Sequence, residues 1–484
     1  MNQSVRVRFA PSPTGGLHLG GVRTVLFNYL FARQHGGKFI LRTEDTDQTR
    51  FVTGAEDYIF ETLRWCGLEP DESTLHGGPF APYRQSERKA DYRPYAEQLV
   101  AAGHAYYAFD TPAELDAMRE KFKTAENPSP QYNAALRQQM RNSLSLAAEE
   151  TQALLAAGTP HVVRIKMPQD QDISFTDMIR GEVHFHSSQV DDKVLLKADG
   201  MPTYHLAVVV DDKAMEITHA FRGEEWLPSA PVHLLLWQYL GWQDSMPQWA
   251  HLPLILKPDG HGKLSKRDGD RLGFPVFAMD WTDPQSGEKT IGFRERGFLP
   301  EAFVNLLALL GWNDGTDKEI FTIEELVTAF SMDRVHKGGA KFDYEKAKWF
   351  NAEWIKRKTA AELEPLVRKV FSDVVPAATD DSTLDPANAA VVAQHSIGHF
   401  NLDAFSAAYW QQAIALTKDR CTLLTDFVPQ AGFFFADPLT YDTDALRPKW
   451  DPAKNQFFVE LLRAFEQSVL WEASDLEKGF KEMA

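Results

Sequence analysis

The pattern of apolar and polar positions at the N-terminus predicts a βαβ unit. VRVRFA has the composition of a strand and is followed by the glycine-rich turn PSPTGGLHLGG. In the next segment apolar residues recur at three- and four-residue spacing, as on the buried face of a helix, and Gly36-Gly37 supplies a stop. The apolar run FIL then ends in the acidic segment RTEDTD. We therefore expect strand, glycine-rich turn, helix and strand in this order.

A second α/β region is predicted to begin near Asp192. It contains KVLLK, the turn ADG and the apolar run LAVVV, which ends at Asp211-Asp212. We interpret LAVVV as a strand. The acidic pairs Asp191-Asp192 and Asp211-Asp212 then flank strands, where turn and capping roles are common.

Residues 109–191, between these regions, have a different pattern. Thr111, Pro112 and Glu114 have the spacing of a capping box with proline at the first helical position, so a helix to about Lys123 is predicted. The loop TAENPSPQY, a long Ala-, Leu- and Gln-rich segment predicted as helix, and the strand-like HVVRIKM follow. We expect residues 109–191 to form an α+β insertion.

After about residue 318 the predicted elements are mostly helices. TIEELVTAF, AAELEPLVRKVF and, after Asp451-Pro452, AKNQFFVELLRAFEQSV have helical periodicity, and strand signals are few. The predicted fold is therefore α/β, with a parallel sheet in residues 1–108 and 192–318. The insertion 109–191, a helical region 319–372 and an all-α domain 373–484 complete it.

Composition restricts the class of protein. The chain of 484 residues is too long for one core, and its 44% hydrophobic and 25% charged residues are typical of a globular protein. Without a long apolar run or a signal peptide, it is expected in the cytoplasm and not at a membrane. Two cysteines, Cys66 and Cys421, cannot build a disulfide framework or a cysteine-rich zinc site. The net charge of −17 disfavours nonspecific binding to polyanions, so any nucleic-acid surface must be local.

The first candidate motif is PSPTGGLHLGG, residues 11–21, between a strand and a helix. Glycines permit close backbone approach, and a helix N-terminus offers N–H groups to a phosphate. His18 lies at this turn and can donate to a phosphoryl oxygen. Alone, the motif fits a tight turn with a solvent-facing histidine better.

The second candidate motif is KLSKRDGD, residues 263–270, which glycines flank and which is predicted to be a mobile loop. Lys263, Lys266 and Arg267 place three cations beside the hydroxyl of Ser265. Such a segment can neutralise charge on a leaving pyrophosphate. Alone, the motif is a weak signal, because a solvated basic loop is the commoner interpretation of such a run of charges.

In this order, the two motifs resemble the HIGH and KMSKS signatures of class I aminoacyl-tRNA synthetases. The longer segments RFAPSPTG, LRTEDTD, PTYHLAVVVDD and FRGEEWL resemble the bacterial-type enzymes for glutamate. The resemblance extends from about Val5 to about Ile355. Gly21 departs from the general signature, which has a second histidine there, so His18 acts alone.

This resemblance implies a Rossmann-type catalytic domain, an insertion that meets the acceptor end of tRNA, and a helical anticodon-binding domain. It also implies roles for individual residues. Catalysis is assigned to His18, Lys263 and Lys266. Glutamate binding is assigned to Arg8, Ala10, Ser12, Glu44, Tyr204 and Arg222, with Arg222 on the side-chain carboxylate. ATP binding is assigned to Pro11, Ser12, Pro13, Thr14, Gly15, His18, Gly20, Gly21, Glu225, Lys263, Leu264, Ser265, Lys266 and Arg267.

The implied substrates are ATP with Mg²⁺, L-glutamate and tRNA(Glu), and a monomer is expected. The resemblance further implies that tRNA must bind before glutamate is activated. Contacts to tRNA are assigned to Trp226, Lys346, Lys348, Lys356 and Arg357. The last four lie in KFDYEKAKWFNAEWIKRK, which equally fits an amphipathic helix with core aromatics.

No metal site within the protein is predicted. His184 and His186 share the spacing of a two-histidine metal site, but alternation on an exposed strand explains them better. The insertion has no cysteines for a zinc knuckle, so no zinc is expected.

Four other functions were weighed. A glutamine-tRNA ligase has a β-barrel C-terminal half, whereas this one is predicted to be helical. A truncated paralogue that modifies a tRNA base lacks the long helical region found here. A nucleotidyltransferase acting without RNA shares only the first motif, and a catalytically silent RNA-binding relative does not need His18, Lys263, Lys266 and Arg222.

Overall fold

The computed structural model describes residues 4–374, 402–436, 450–468 and 471–483. The chain divides into two compact units: Met1–Lys358 with Thr422–Thr425, and Thr359–Cys421 with Asp426–Ala484. The strands are β1 Arg6–Phe9, β2 Lys38–Leu41, β3 Ala105–Ala108, β4 Val162–Ile165, β5 Asp172–Asp177, β6 Gly181–His186, β7 Val194–Leu196, β8 His219–Gly223, β9 Gln248–Leu252, β10 Ile255–Leu256, β11 Trp281–Thr282, β12 Lys289–Thr290 and β13 Ala340–Lys341. The helices are α1 Leu19–Gln34, α2 Ala55–Trp65, α3 Lys89–Ala101, α4 Pro112–Phe122, α5 Ala148–Ala156, α6 Tyr204–Ala214, α7 Ala230–Tyr239, α8 Lys266–Leu272, α9 Pro300–Leu309, α10 Ile323–Ala329, α11 Tyr344–Arg357, α12 Ala360–Val374, α13 Ala407–Thr417, α14 Phe427–Ala431, α15 Pro452–Glu466 and α16 Ala473–Met483.

The first unit is built on a mostly parallel sheet, which confirms the predicted α/β class. Its strand order is β2-β1-β8-β9-β5-β6. The pairs β1–β2, β1–β8, β8–β9 and β9–β5 are parallel, and only the β5–β6 hairpin is antiparallel. Parallel strands carry their ligand sites at their carboxyl ends. The carboxyl edge of this sheet is therefore where a site is expected.

The predicted N-terminal βαβ unit is confirmed. α1 follows β1 and leads into β2, which pairs with β1 in parallel. Its apolar positions, including Val22, Leu26 and Leu30, are fully buried. The helix ends just before Gly36, whose φ of 62° is the left-handed conformation that glycine adopts without steric cost.

A smaller antiparallel sheet, in the order β3-β4-β7, lies in the same unit. The predicted capping box forms at the start of α4: Thr111 accepts from the Glu114 N–H, and Glu114 accepts from the Thr111 N–H at 2.7 Å. The Ala-, Leu- and Gln-rich segment is helical only over Arg137–Gln139, a 3₁₀ turn, and Ala148–Ala156. The prediction of one long helix there was therefore wrong, because Asn142 side-chain bonds organise the residues between as turns.

The run LAVVV forms helix α6 and not the predicted strand. Its residues are buried on all sides of the helix, so the sequence shows no amphipathic period that would identify it. Asp211 and Asp212 consequently lie inside the core and not at a strand end. Asp192, predicted as a turn residue, is also fully buried and pairs with Arg137 at 2.9 Å.

The described part of the second unit contains helices and no strand. α12 packs against α13, with Phe371 edge-on to Trp410, and Trp410 stacks on Phe435 at 3.9 Å between ring centroids. Asp451 caps α15 by accepting from the Lys454 N–H. The helical character predicted for this region is thus confirmed where the structure describes it. Part of the predicted domain 373–484 lies outside the described residues.

The predicted domain bounds stay a prediction. The hairpin β5–β6 belongs by sequence to the predicted insertion 109–191, yet it is hydrogen-bonded to β9 of the main sheet. The two compact units meet in sequence at Lys358 and Thr359, within the predicted region 319–372.

Candidate active site

A cavity of about 940 Å³ lies at the carboxyl ends of β1, β2, β8 and β9. Both sequence motifs contribute to its wall, although more than two hundred positions separate them. The predicted site residues that line it are Arg8, Ala10, Pro11, Ser12, Pro13, Thr14, His18, Gly20, Gly21, Glu44, Tyr204, Arg222, Glu225, Trp226, Lys263, Leu264 and Ser265. Gly15, Lys266 and Arg267 are not among its lining residues.

His18 is the N-cap of α1. Its Nδ1 accepts from the Gly20 N–H at 3.1 Å, so the proton of the neutral ring lies on Nε2, which is buried and has no protein partner. Burial and, second, the charge of Lys263 lower the pKa of His18 to about 4. The ring is therefore a neutral donor at neutral pH. A side chain at Gly21 would place Cβ 2.7 Å from Leu17 Cδ1, so a second histidine there would have to displace Leu17.

The second motif is anchored by its backbone. The Leu264 N–H donates to the Ile255 carbonyl at 2.9 Å, next to β9. Ser265 caps α8, and its hydroxyl donates to Asp268 at 2.6 Å. The prediction of a loop throughout was therefore wrong, since Lys266 and Arg267 begin a short helix.

Both lysines of the second motif are paired with glutamates. Lys263 Nζ lies 2.5 Å from Glu225 Oε1, and Lys266 Nζ lies 2.9 Å from Glu288 Oε2. All four side chains are partly exposed. Such pairs contribute little stability, so an incoming anion can replace either glutamate at low cost.

A buried ion-pair network forms the floor of the cavity. Asp212 accepts from Arg8 Nε at 3.1 Å and from Arg42 Nη1 at 2.8 Å, while Arg42 Nη2 donates to Glu44 at 2.9 Å. Burial alone would raise the pKa of Asp212, but Arg8 and Arg42 hold it below its ordinary value. Burial raises the pKa of Glu44. A ligand ammonium group beside Glu44 would favour its ionised form.

Arg222 lies on β8 and faces the same cavity. Its Nη1 donates to the Tyr204 hydroxyl at 3.1 Å. Its Nη2 is buried and has no hydrogen-bond partner, which leaves this nitrogen to donate to an anion. Trp226, which is 44% exposed, packs against Tyr204 with a centroid distance of 4.8 Å.

Several residues around these groups were missed by sequence reasoning. Arg42 and Asp212 fix Arg8 and Glu44, and Lys197 in the cavity wall donates to the Thr46 carbonyl at 2.8 Å. The histidines His251 and His233 contact Arg222. No local motif identifies Asp212, Lys197 or the two histidines, because their partners here lie ten or more positions away in sequence.

The helix predicted to contact tRNA is α11. Phe350 and Trp354 are buried, which supports the interpretation as an amphipathic helix, whereas Trp349 is 40% exposed. Lys346, Lys348 and Lys356 pair with Glu319, Glu345 and Glu353. The surface of α11 therefore combines an exposed aromatic ring with lysines whose charge is partly balanced by glutamates.

The histidine pair of the predicted exposed strand lies on β6. On β6, His184 and Glu182 are exposed while Val183 and Phe185 are half-buried, as the predicted alternation requires. His186 departs from it, because it is half-buried and its Nε2 lies 3.2 Å from Asp170 Oδ1. Within residues 4–374, 402–436, 450–468 and 471–483, no group of three or more His, Cys, Asp or Glu side chains could hold a metal ion. None of the described helices is long and apolar enough to cross a membrane.

Comparison with known proteins identifies the class. Residues 4–349 match the family model for the catalytic domain of class I tRNA synthetases (E and Q), and residues 358–484 match an anticodon-binding domain. These bounds include both motifs and every residue that lines the cavity.

Individual relatives narrow the assignment. The glutamate–tRNA ligase of Amoebophilus asiaticus is 53% identical over 465 residues, which cover 96% of this chain and 86% of that protein. The glutamate–tRNA ligase of Porphyromonas gingivalis strain W83 is 52% identical, over 94% of this chain and 84% of its own length. A crystal structure of the glutamate tRNA ligase of Elizabethkingia meningosepticum, in complex with its amino acid, superposes with a TM-score of 0.88 at 45% identity. That match covers 100% of this chain and 90% of the other. The chain therefore belongs to the glutamate–tRNA ligases, and it is an ATP-using aminoacyl-tRNA synthetase that attaches glutamate to tRNA.

Proposed function

We propose that the cavity at the sheet edge activates L-glutamate with ATP and then transfers the glutamyl group to the 3′ end of tRNA(Glu). One observation carries this proposal: an arginine with an unpartnered buried nitrogen, Arg222 Nη2, shares a cavity with both signature motifs. Its N–H groups can donate to a carboxylate in charge-assisted hydrogen bonds. A neutral amide oxygen accepts such a bond without the attraction between opposite charges, so this group favours glutamate over glutamine.

The other proposed contacts to glutamate are made by residues that line the same cavity. The side-chain carboxylate binds Arg222 and Tyr204, and the α-ammonium group lies near Glu44. Arg8, held by Asp212, faces the α-carboxylate, and Ala10 and Ser12 border it. Arg8 and Glu44 belong to one buried network, so their positions are set before the substrate arrives.

The first step depends on neutralisation of the phosphate charge more than on covalent catalysis by the protein. An α-carboxylate oxygen of glutamate forms a bond to the α-phosphorus of ATP while the bond to the β-phosphate oxygen breaks and pyrophosphate leaves. His18 donates from Nε2 to a phosphate oxygen, and Lys263 and Lys266 leave Glu225 and Glu288 to neutralise the pyrophosphate. Residues 11–15, Gly20, Gly21 and residues 264–267 border ATP, and Glu225 lies near its ribose.

In the second step the 2′-hydroxyl of the terminal adenosine attacks the acyl carbon, and AMP leaves. Magnesium enters as part of the ATP substrate. When bound with ATP, it would add positive charge at the phosphates.

Binding of tRNA extends beyond the cavity. Trp226 at the cavity mouth meets the acceptor end, and Lys346, Lys348, Lys356 and Arg357 contact the backbone of the stem, with Trp349 available for stacking. We further propose that tRNA binding precedes activation, and that the enzyme acts as a monomer in the cytoplasm.

Pyrophosphate exchange tests the proposal directly. Exchange into ATP is expected with glutamate and tRNA(Glu), and charging of tRNA(Glu) should follow. Glutamine in place of glutamate is the matched control and should give no comparable exchange. Exchange with glutamine alone would contradict the proposed substrate, and exchange without tRNA would contradict only the proposed order of binding.

A further inference from the structure

The guanidinium of Arg222 is held by acceptors that carry no charge. Its Nε donates to His251 Nε2 at 3.0 Å, and its Nη1 donates to His233 Nδ1 at 3.1 Å as well as to Tyr204. No carboxylate among the described residues lies within 4 Å of it. Two nitrogens of the guanidinium, Nε and Nη1, are thus fixed by hydrogen bonds that do not balance its positive charge.

The protonation state of His251 is determined by its other neighbour. Its Nδ1 lies 2.6 Å from Asp177 Oδ2, and its Nε2 must accept from Arg222. The ring proton therefore lies on Nδ1 and is donated to the carboxylate. Both side chains are buried, and burial lowers the pKa of His251 to about 4, so the ring is neutral at neutral pH.

His233 is held in a similar way on the other side. Its Nδ1 accepts from Arg222, so its Nε2 carries the proton and donates to His205 Nδ1 at 3.2 Å. Burial lowers the pKa of His233 well below its ordinary value. The two histidines face different nitrogens of one guanidinium and leave Nη2, which is buried, without a hydrogen-bond partner beside the cavity that Arg222 lines.

We infer that Asp177, His251 and His233 are positioning residues that keep Arg222 in place as an unneutralised cation, and that they thereby determine selection of glutamate over glutamine. This inference rests on the proposed binding of the glutamate side chain to Arg222. An acidic side chain in place of either histidine would neutralise the charge of Arg222. A hydrogen-bond donor in the same place would repel the guanidinium. A neutral acceptor holds the guanidinium and preserves its charge, as a site that binds a carboxylate requires.

Asp177→Asn is the most informative substitution, because the backbone fixes how the amide must lie. Asp177 Oδ1 accepts from the N–H groups of Ile179 and Arg180, both at 3.0 Å. Oδ2 accepts from the backbone N–H of His251 at 3.1 Å as well as from its ring. Two N–H groups hold the amide oxygen at the Oδ1 position against one at Oδ2, so the NH₂ group replaces Oδ2, loses the bond from the His251 N–H and points at His251 Nδ1. His251 must then accept at Nδ1 and carry its proton on Nε2, where it opposes the Arg222 N–H. The shape is retained while the acceptor for Arg222 is lost.

The experiment measures pyrophosphate exchange with tRNA(Glu) present, for wild type, Asp177→Asn and the matched control Asp172→Asn. Asp172 lies at the other, exposed end of the same strand. For Asp177→Asn we expect KM for glutamate to rise at least about tenfold, with KM for ATP within about twofold, and the glutamate-to-glutamine ratio of kcat/KM to fall about tenfold. The Asp172→Asn enzyme should match the wild type. A merely structural role would move both KM values and leave the selectivity ratio unchanged.

A folded Asp177→Asn enzyme with wild-type KM for glutamate and wild-type selectivity would overturn the inference. If that variant does not fold, His233→Leu decides, since it removes one of the two acceptors of Nη1 and leaves the bond from Nε to His251, and an unchanged selectivity ratio there overturns the inference as well. Absence of glutamate-dependent exchange in the wild type would instead contradict the proposed function.

Discussion

The ammonium group of Lys266 lies 2.9 Å from the carboxylate of Glu288, on the turn between β11 and β12. If Lys266 serves pyrophosphate, this pair must open when ATP binds. An exposed pair is worth up to about 1 kcal/mol, so Glu288→Gln should lower KM for ATP by up to about fivefold. Lys266→Ala should lower kcat by about a hundredfold or more. Lys289→Gln, on the same hairpin, is the control and should leave KM for ATP unchanged; a higher KM for ATP in Glu288→Gln would contradict the prediction.

A methyl group on Gly16 is expected to disturb the first motif. Its Cβ would lie 3.0 Å from Cγ and 3.1 Å from Cβ of Trp281, near the rigid base of that side chain. Gly16→Ala should therefore lower the free energy of unfolding by about 1–3 kcal/mol. At Gly20, within α1, the nearest atom would be 3.5 Å away, so Gly20→Ala should be neutral or stabilising. Urea unfolding compares the two; equal effects would argue against close packing at Gly16.

The network around Asp212 should be sensitive to loss of charge. Asp212→Asn leaves Arg8 and Arg42 buried with an incomplete partner, which should cost about 3–5 kcal/mol of stability. Asp116→Asn is a matched control, because the Asp116–Arg119 pair is exposed and should contribute less than about 1 kcal/mol. Equal urea midpoints for the two variants would contradict the proposed importance of the network.

Acid should destabilise the fold partly through His251. As pH falls through 6.5, the ordinary histidine pKa, the unfolded chain takes up a proton that folded His251 does not accept until about pH 4. Its contribution to stability is therefore complete above pH 6.5 and is lost toward pH 4. Between about pH 7 and 5, the free energy of unfolding should fall more steeply for wild type than for His251→Asn, by up to about 1.4 kcal/mol per pH unit. Parallel pH curves would show that His251 is protonated in the folded protein.

The two tryptophans of α11 should respond differently. Trp349 is exposed and Trp354 is buried, with its Nε1 donating to Asn305 at 3.2 Å. Trp349→Ala should weaken tRNA binding by about 1–3 kcal/mol without changing stability. Trp354→Ala should lower the free energy of unfolding by about 3–5 kcal/mol. Filter binding and urea unfolding separate the effects; unchanged tRNA affinity in Trp349→Ala would remove the stacking role.

Local signals in the sequence predicted local structure well. The Thr111–Glu114 capping box and the glycine stop after α1 depend only on near neighbours, and both appear in the structure. The two motifs lie in one cavity because parallel strands bring their carboxyl ends together. These features follow from the order of residues along the chain.

Burial accounts for two of the differences between prediction and structure. The run LAVVV is enclosed by protein on every side of helix α6, so no polar face indicates the helical period in the sequence. The partners of Asp212 and Arg222 lie on other elements, and nothing near either residue in sequence identifies them. These side-chain pairs become apparent only in the three-dimensional structure.

The cap that His18 forms on α1 limits its chemistry. Its single lone pair is committed to the Gly20 N–H, so the ring can offer a proton but has no basic nitrogen left to remove one. General-base catalysis is thereby closed to it. In the first proposed step the nucleophile is a carboxylate, which is already ionised. In the second step the 2′-hydroxyl must lose its proton to solvent or to the substrate's own phosphate.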